Sequence, residues 1–192
     1  MGEPTISTHE AKEALNLIEA TTKQMRYELA VGGMPFYLFI WGVIWMVGFG
    51  AAHFLGPDSS LTGTVWMVLD GAGVVASFLV GAHLGTRLRW RSYNTMGLFW
   101  LSWLGYGALI IYFAAPQSGS HLSLLISLFA MFGYVITGLF YRSTVLVALG
   151  IGITVFLLIG YVFLPTYFNL WMAILGGGGL IGAGAYIRWV WR

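Results

Sequence analysis

The stretch TGTVWMVLDGAGVVASFLVGAHLGTRLRWR, Thr62–Arg91, decides the fold. It opens with an apolar run long enough to cross a bilayer and closes on Arg87, Arg89 and Arg91. A helix needs about 20 apolar residues to span about 30 Å of hydrocarbon. Lipid offers nothing to backbone N–H and C=O groups, so a helix, which satisfies its own, is the state such a run adopts. One acid, Asp70, interrupts the run.

The same reading extends outward from this stretch. Apolar segments fall near 35–56, 62–85, 94–115, 121–141, 144–164 and 168–189. The 192 residues are 58% hydrophobic and 8% charged, against about 25% charged in soluble domains. These properties predict an all-α integral membrane protein, a bundle of six transmembrane helices over residues 32–192. They leave no room for a second, soluble domain. There is no cysteine, which excludes disulfides, thiolate metal sites and thiol redox chemistry.

Topology follows from the cations. Lys12, Lys23 and Arg26 precede the first segment; Arg87, Arg89 and Arg91 separate the second and third; Arg142 separates the fourth and fifth; Arg188 and Arg192 end the sixth. The other three loops carry none. Positive residues stay cytoplasmic, so both termini are expected inside, in a plasma membrane or bacterial inner membrane. The arginines after Gly85 read as the topology anchor, with lipid headgroups as their contact. Pro57, Pro116 and Pro165 each follow an odd-numbered segment. This suggests three helical hairpins of like orientation. Two echoes agree: Gly48-Phe49-Gly50-Ala51 with Gly105-Tyr106-Gly107-Ala108, and Trp66-Met67 with Trp171-Met172, each pair followed by spaced glycines.

Residues 1–31 form the other unit, an amphipathic cytoplasmic helix. Ser7 and Glu10 have capping-box spacing. Ala11, Leu15, Ile18, Thr22, Met25 and Leu29 recur by fours and threes as one stripe. Four glutamates balance three cations on the polar face, the wrong balance for a polybasic lipid-binding helix. The stripe either packs against the bundle's own inner face or, from its heptad-like spacing, serves docking or self-association. Gly32 and Gly33 break the helix, and Pro35 suits the first turn of the next.

Gly73, Ser77, Gly81 and Gly85 follow one another at intervals of four, a strip where another backbone can approach closely. Asp70 shares that face, so it is expected to look at protein or a cavity. Glycine clusters at 48–50, 105–107 and 176–179 fall near its level and predict either tight packing or room for water or a solute. Asp70 reads as a neutral acid hydrogen-bonded to a neighbour such as Tyr106, or as an ionised group in a wet cavity. An intramembrane acid is a functional candidate; its structural counterpart is an interhelical hydrogen bond.

Other constellations are weaker. His53, His121 and Asp58 could hold zinc, and the two histidines could hold a haem, but nothing pairs them on one helix. No metal and no cofactor is expected. His9 and His83 have no evident partner. Trp41, Trp45, Trp100 and Trp103 could stack on a flat cofactor, though packing explains them. An intramembrane aspartyl protease needs two acids, a zinc protease needs HExxH, and Ser118-Gly119-Ser120-His121 lacks a buried base. Nucleotide and nucleic-acid binding have no motif behind them. Two functions remain. One is a permeation unit, a channel or transporter for a small solute, proton or ion, built as a homo-oligomer around Asp70. The other is a non-catalytic accessory or regulatory membrane subunit that docks a partner through its N-terminal helix.

Overall fold

The computed structural model describes residues 7–31, 33–85 and 90–191. Among them the chain is helical throughout, with no strand, and six helices are long and apolar enough to cross a membrane. Contact with a lipid bilayer, and hence an integral membrane location, follows from those six helices.

Helix α1, Thr8–Val31, begins where local chemistry dictates. The Ser7 N–H and hydroxyl both donate to the Glu10 carboxylate at 2.9 Å, and the Glu10 N–H donates back to Ser7 Oγ at 3.2 Å. The Glu10 carboxyl is held below its ordinary range, chiefly by the Ser7 backbone N–H and then by its hydroxyl. Packing of the stripe on the bundle's own inner face is not the arrangement seen. Residues 9–21 are exposed throughout, and Leu15, Leu17 and Ile18 stand 60%, 70% and 53% open. The side chains of Met25 and Leu29 lie outside the described residues. Near its end α1 meets the bundle: Ala30 is buried, and the Arg26 guanidinium lies 5.7 Å from the Trp191 ring.

Gly33 then turns the chain with φ +91°, a left-handed conformation that favours glycine. A Cβ there would also lie 2.6 Å from Leu84 Cδ1. The spans follow as α2, Met34–Leu55; α3, Ser60–Gly85; α4, Trp90–Ala114; α5, Gly119–Phe140; and α6, Thr144–Phe163. Each agrees with its expected segment to within a few residues at either end. The sixth span differs. Residues 168–189 are expected as one plain helix, but the span is built from a 3₁₀ turn, Pro165–Tyr167; α7, Phe168–Trp171; a π-helical segment, Met172–Gly177; and α8, Gly178–Val190. The wider π turn coincides with a point where two backbones meet, at Gly177 and Gly42.

The helices pack in the order α3, α2, the sixth span, α6, α5, α4. The core lies where α2, α5, α6 and the sixth span face each other: Leu38, Met131, Leu146, Leu157, Phe168, Met172, Leu180 and Ile187 are sealed. Gly150 lets α6 approach α5, since a Cβ there would sit 2.8 Å from the Met131 carbonyl. Helices α3 and α4 stand at the two ends of this order and bury little of themselves. The α3 face packs on α2 and the α4 face on α5, while α3 and α4, though consecutive, make no substantial contact with each other among the described residues.

Two ends of the bundle are chemically distinct. At one, Gly33 meets Leu84, and Gly184 meets the Pro35 carbonyl. Arg188 lies over Phe36 at this end. At the other, the Gly119 N–H donates to Asp58 Oδ1 at 2.6 Å, which ties the α2–α3 turn to the start of α5. Thr62 locks the same turn by donating its hydroxyl to the Gly56 carbonyl at 2.7 Å. These are called the basic end and the proline end below.

Candidate functional site

The packed face of α3 runs through Trp66, Gly73 and Gly81. Gly73 receives Ile44 and Trp41 from α2, and Gly81 is buried. At 3.6 residues per turn, three residues rotate a side chain about 60° away from exact alignment. Asp70, three before Gly73, therefore falls beside the contact and is exposed in the single chain. Ser77, nearly in line with Asp70 two turns on, is half-buried, and its hydroxyl is enclosed with no hydrogen-bond partner. Gly85 ends α3. Arg87 and Arg89 lie outside the described residues, and Arg91 is placed only by the backbone of α4.

Tyr106 is 69% exposed on α4. The structure does not bring it to Asp70: neither side chain has a hydrogen bond or ion pair among the described residues. Counted along their helices from the proline end, the two lie at similar distances. Asp70 lies about 15 Å along α3 from Ser60, and Tyr106 about 12 Å along α4 from Ala114, at 1.5 Å per residue.

The glycine clusters resolve largely into packing. Gly48 of α2 lies under the Trp66 ring of α3, with a Cβ there 2.6 Å from the indole. Gly107 of α4 lies under Phe129 of α5, and Gly160 of α6 under Trp171 of the sixth span. In these three pairs, a ring from the later helix covers a glycine of the earlier one. Gly176 meets Trp45 at 3.1 Å. By contrast Gly50, Gly71, Gly105 and Gly178 have nothing within 4 Å of a Cβ.

The tryptophans singled out by spacing are packing elements here. Trp103 stacks on Phe129 with centroids 4.4 Å apart and donates its indole N–H to the Phe129 carbonyl at 3.2 Å. Trp100 meets Tyr134 edge-on at 5.7 Å, and Trp45 meets Phe49 at 5.6 Å. Trp41 rests near Gly73. Trp100 and Trp103 thus fasten α4 to α5, Trp41 fastens α2 to α3, and Trp45 meets Gly176 of the sixth span.

His53 packs against Phe54 and Tyr167, while Asp58 is engaged with the Gly119 N–H. Among the described residues no three His, Asp or Glu side chains come together as a metal would require. His9 faces Glu13 at 3.6 Å on the exposed α1.

One polar group escaped the sequence reading. Asn169 is buried in the sixth span, and its side-chain oxygen has no hydrogen-bond partner. Its signal was an amide inside an apolar run, which a search for charges passes over; intramembrane amides do hydrogen-bond between helices.

The bundle's surface carries shallow apolar depressions of about 270 and 290 Å³, on the α4–α5 and α5–α6 faces. Asp70, Tyr106 and Asn169 line neither. The chemistry within reach of Asp70 is thus hydrogen bonding and proton exchange by one carboxyl, with no second acid, base or nucleophile against it among the described residues. Comparison with protein-family models, with curated proteins and with solved structures finds no match for this chain.

Proposed function

We propose that this protein is a non-catalytic accessory membrane subunit that docks a partner protein through α1, with both termini in the cytoplasm. The observation that carries the reading is the open stripe of α1: Leu15 and Ile18 are exposed on a helix that meets the bundle at Ala30 and Arg26. An amphipathic helix gains most of its stability from burying its apolar face, so this one calls for a partner. Arg26 and Arg188 gather at the basic end, and the one-sided distribution of cations supports a cytoplasmic side for that end. We read the bundle as three hairpins, in support of which stand the three ring-over-glycine pairs, Gly48 with Trp66, Gly107 with Phe129 and Gly160 with Trp171. A photo-crosslinker placed at position 18 in cells tests the docking. The expected result is one discrete protein adduct that Leu15→Glu abolishes while the bundle stays inserted. Adducts with lipid alone overturn the reading, and reporter fusions showing either terminus outside overturn the orientation.

A second reading, a permeation unit for a small solute, proton or ion assembled from several copies, is favoured by one specific observation. Asp70 and Tyr106 are polar, exposed and similar in depth on the two least buried spans, which suits a lining shared between protomers. Flux into proteoliposomes across a pH series tests it. Asp70→Asn keeps size and hydrogen bonding but removes the titratable proton, and should abolish pH-dependent flux. Unchanged flux at every pH removes this reading.

A further inference from the structure

Asp70 presents a carboxyl in the middle of a membrane-length helix, exposed and without a partner among the described residues. Hydrocarbon cannot hydrogen-bond it, and such groups face protein or water. The occupant of this face must therefore bring a polar group to the depth of Asp70.

The chain carries such a group on its other weakly buried span. Tyr106 is 69% exposed on α4 at nearly the same depth, also without a partner among the described residues. No Lys or Arg of this chain lies at that level, all nine being near the ends of spans or before the first, so a carboxyl–phenol pair is the match it can supply. Beside each polar group is an open glycine: Gly71 and Gly105 have nothing within 4 Å of a Cβ, which leaves room for a neighbouring backbone. Helices α3 and α4 terminate the packing order and make no substantial contact with each other among the described residues.

We propose that the polar site is completed by a second copy of this chain: α3 of one protomer packs against α4 of the next, and the Asp70 carboxyl pairs with the Tyr106 hydroxyl of the neighbouring copy. The two faces are unlike, so the contact is head-to-tail and repeats around a ring. The proposal does not depend on what α1 binds.

The absence of cysteine makes the test clean. Full-length Gly71→Cys and Gly105→Cys chains, with different tags, are co-expressed and treated in membranes with a short bifunctional maleimide. The expected product is a mixed-tag dimer from the Gly71→Cys and Gly105→Cys pair, exceeding that from either variant paired with itself. Asp70→Leu or Tyr106→Phe should lower its yield about threefold to tenfold, the weight of one interhelical hydrogen bond, and Asp70→Asn, which still accepts, should restore it. Labelling with a monofunctional maleimide verifies that both cysteines are inserted and reactive. Given that labelling, no intermolecular product, products only between like variants, or a link confined to one chain in the Gly71→Cys/Gly105→Cys double variant each overturn the proposal. So does a mixed dimer whose yield ignores Asp70→Leu.

Discussion

Gly42 of α2 and Gly177 of the π segment meet backbone to backbone. A Cβ on Gly42 would lie 2.9 Å from the Gly177 carbonyl oxygen, and a Cβ on Gly177 would lie 2.8 Å from the Gly42 carbonyl oxygen and from the Met46 nitrogen. No rotamer change can relieve a contact with backbone, so the two spans must separate to admit even one methyl. Gly177→Ala is expected to destabilise the bundle by about 1–3 kcal/mol, the range for overpacking a close-packed site. Thermal denaturation in detergent measures it. Gly182→Ala, on the same span but where the added methyl meets nothing, should lose no more than about 0.5 kcal/mol; equal losses at both sites would show that the Gly42–Gly177 contact is not the constraint.

The π segment itself predicts an asymmetry among deletions. A π turn holds one residue more between hydrogen-bonded partners than an α turn does. Removing Ile174, which is 60% exposed, can close that turn to α geometry and leave Leu180, Gly184 and Ile187 facing inward. Removing Ala183 instead rotates the helix beyond it by about 100° and turns Ile187, sealed in the core, away. The Ile174 deletion should therefore yield folded protein in detergent by size-exclusion chromatography, and the Ala183 deletion should aggregate. The reverse order would count against this account of the turn.

Asp58 joins two turns at the proline end through its 2.6 Å contact with the Gly119 N–H. A carboxylate at a helix start satisfies a free donor and faces the favourable end of the dipole. Asp58→Ala should cost about 1 kcal/mol. Hydrogen exchange at the Gly119 amide should speed up, while that of the buried Met131 stays slow. An unchanged Gly119 rate would show that the contact does not persist in solution.

Glu10 supplies a pH-dependent term at the start of α1. Its folded-state carboxyl titrates below the ordinary 4.5 because Ser7 donates to the charged form. A depressed folded value means the contribution is fully present above pH about 4.5 and is lost as pH falls through the lower folded value. Carbon-detected titration of Glu10 should give a midpoint below 4.5, and Ser7→Ala should return it to the ordinary range. A midpoint that ignores Ser7→Ala would remove the capping box as its cause. The local helicity of residues 8–12 should fade over the same interval.

The spans were legible because their cause is local. Hydrocarbon requires each crossing segment to be helical and about 20 residues long, so apolar length alone located Met34–Leu55 and its successors. The start of α1 was legible for a like reason, since Ser7 and Glu10 are within three residues of each other. On α3 the spaced glycines include a close approach at Gly73, whereas Asp70, three residues before it, is exposed in the single chain. A rotation of about 60° separates a packed position from an exposed one, and only the docking of Ile44 against Gly73 sets where the contact ends. Composition marked the glycine clusters without saying which would be covered. Gly48 is covered because Trp66 lies opposite, whereas Gly50, two residues on, stays open. The order of the helices, the π turn and the buried Asn169 likewise depend on which surfaces face each other. In a bilayer every span is apolar on all sides, so hydropathy carries no record of neighbours. The sequence by itself determined six helices long and apolar enough to cross a membrane; the fit of rings over glycines, a tertiary matter, decided how those helices stand together.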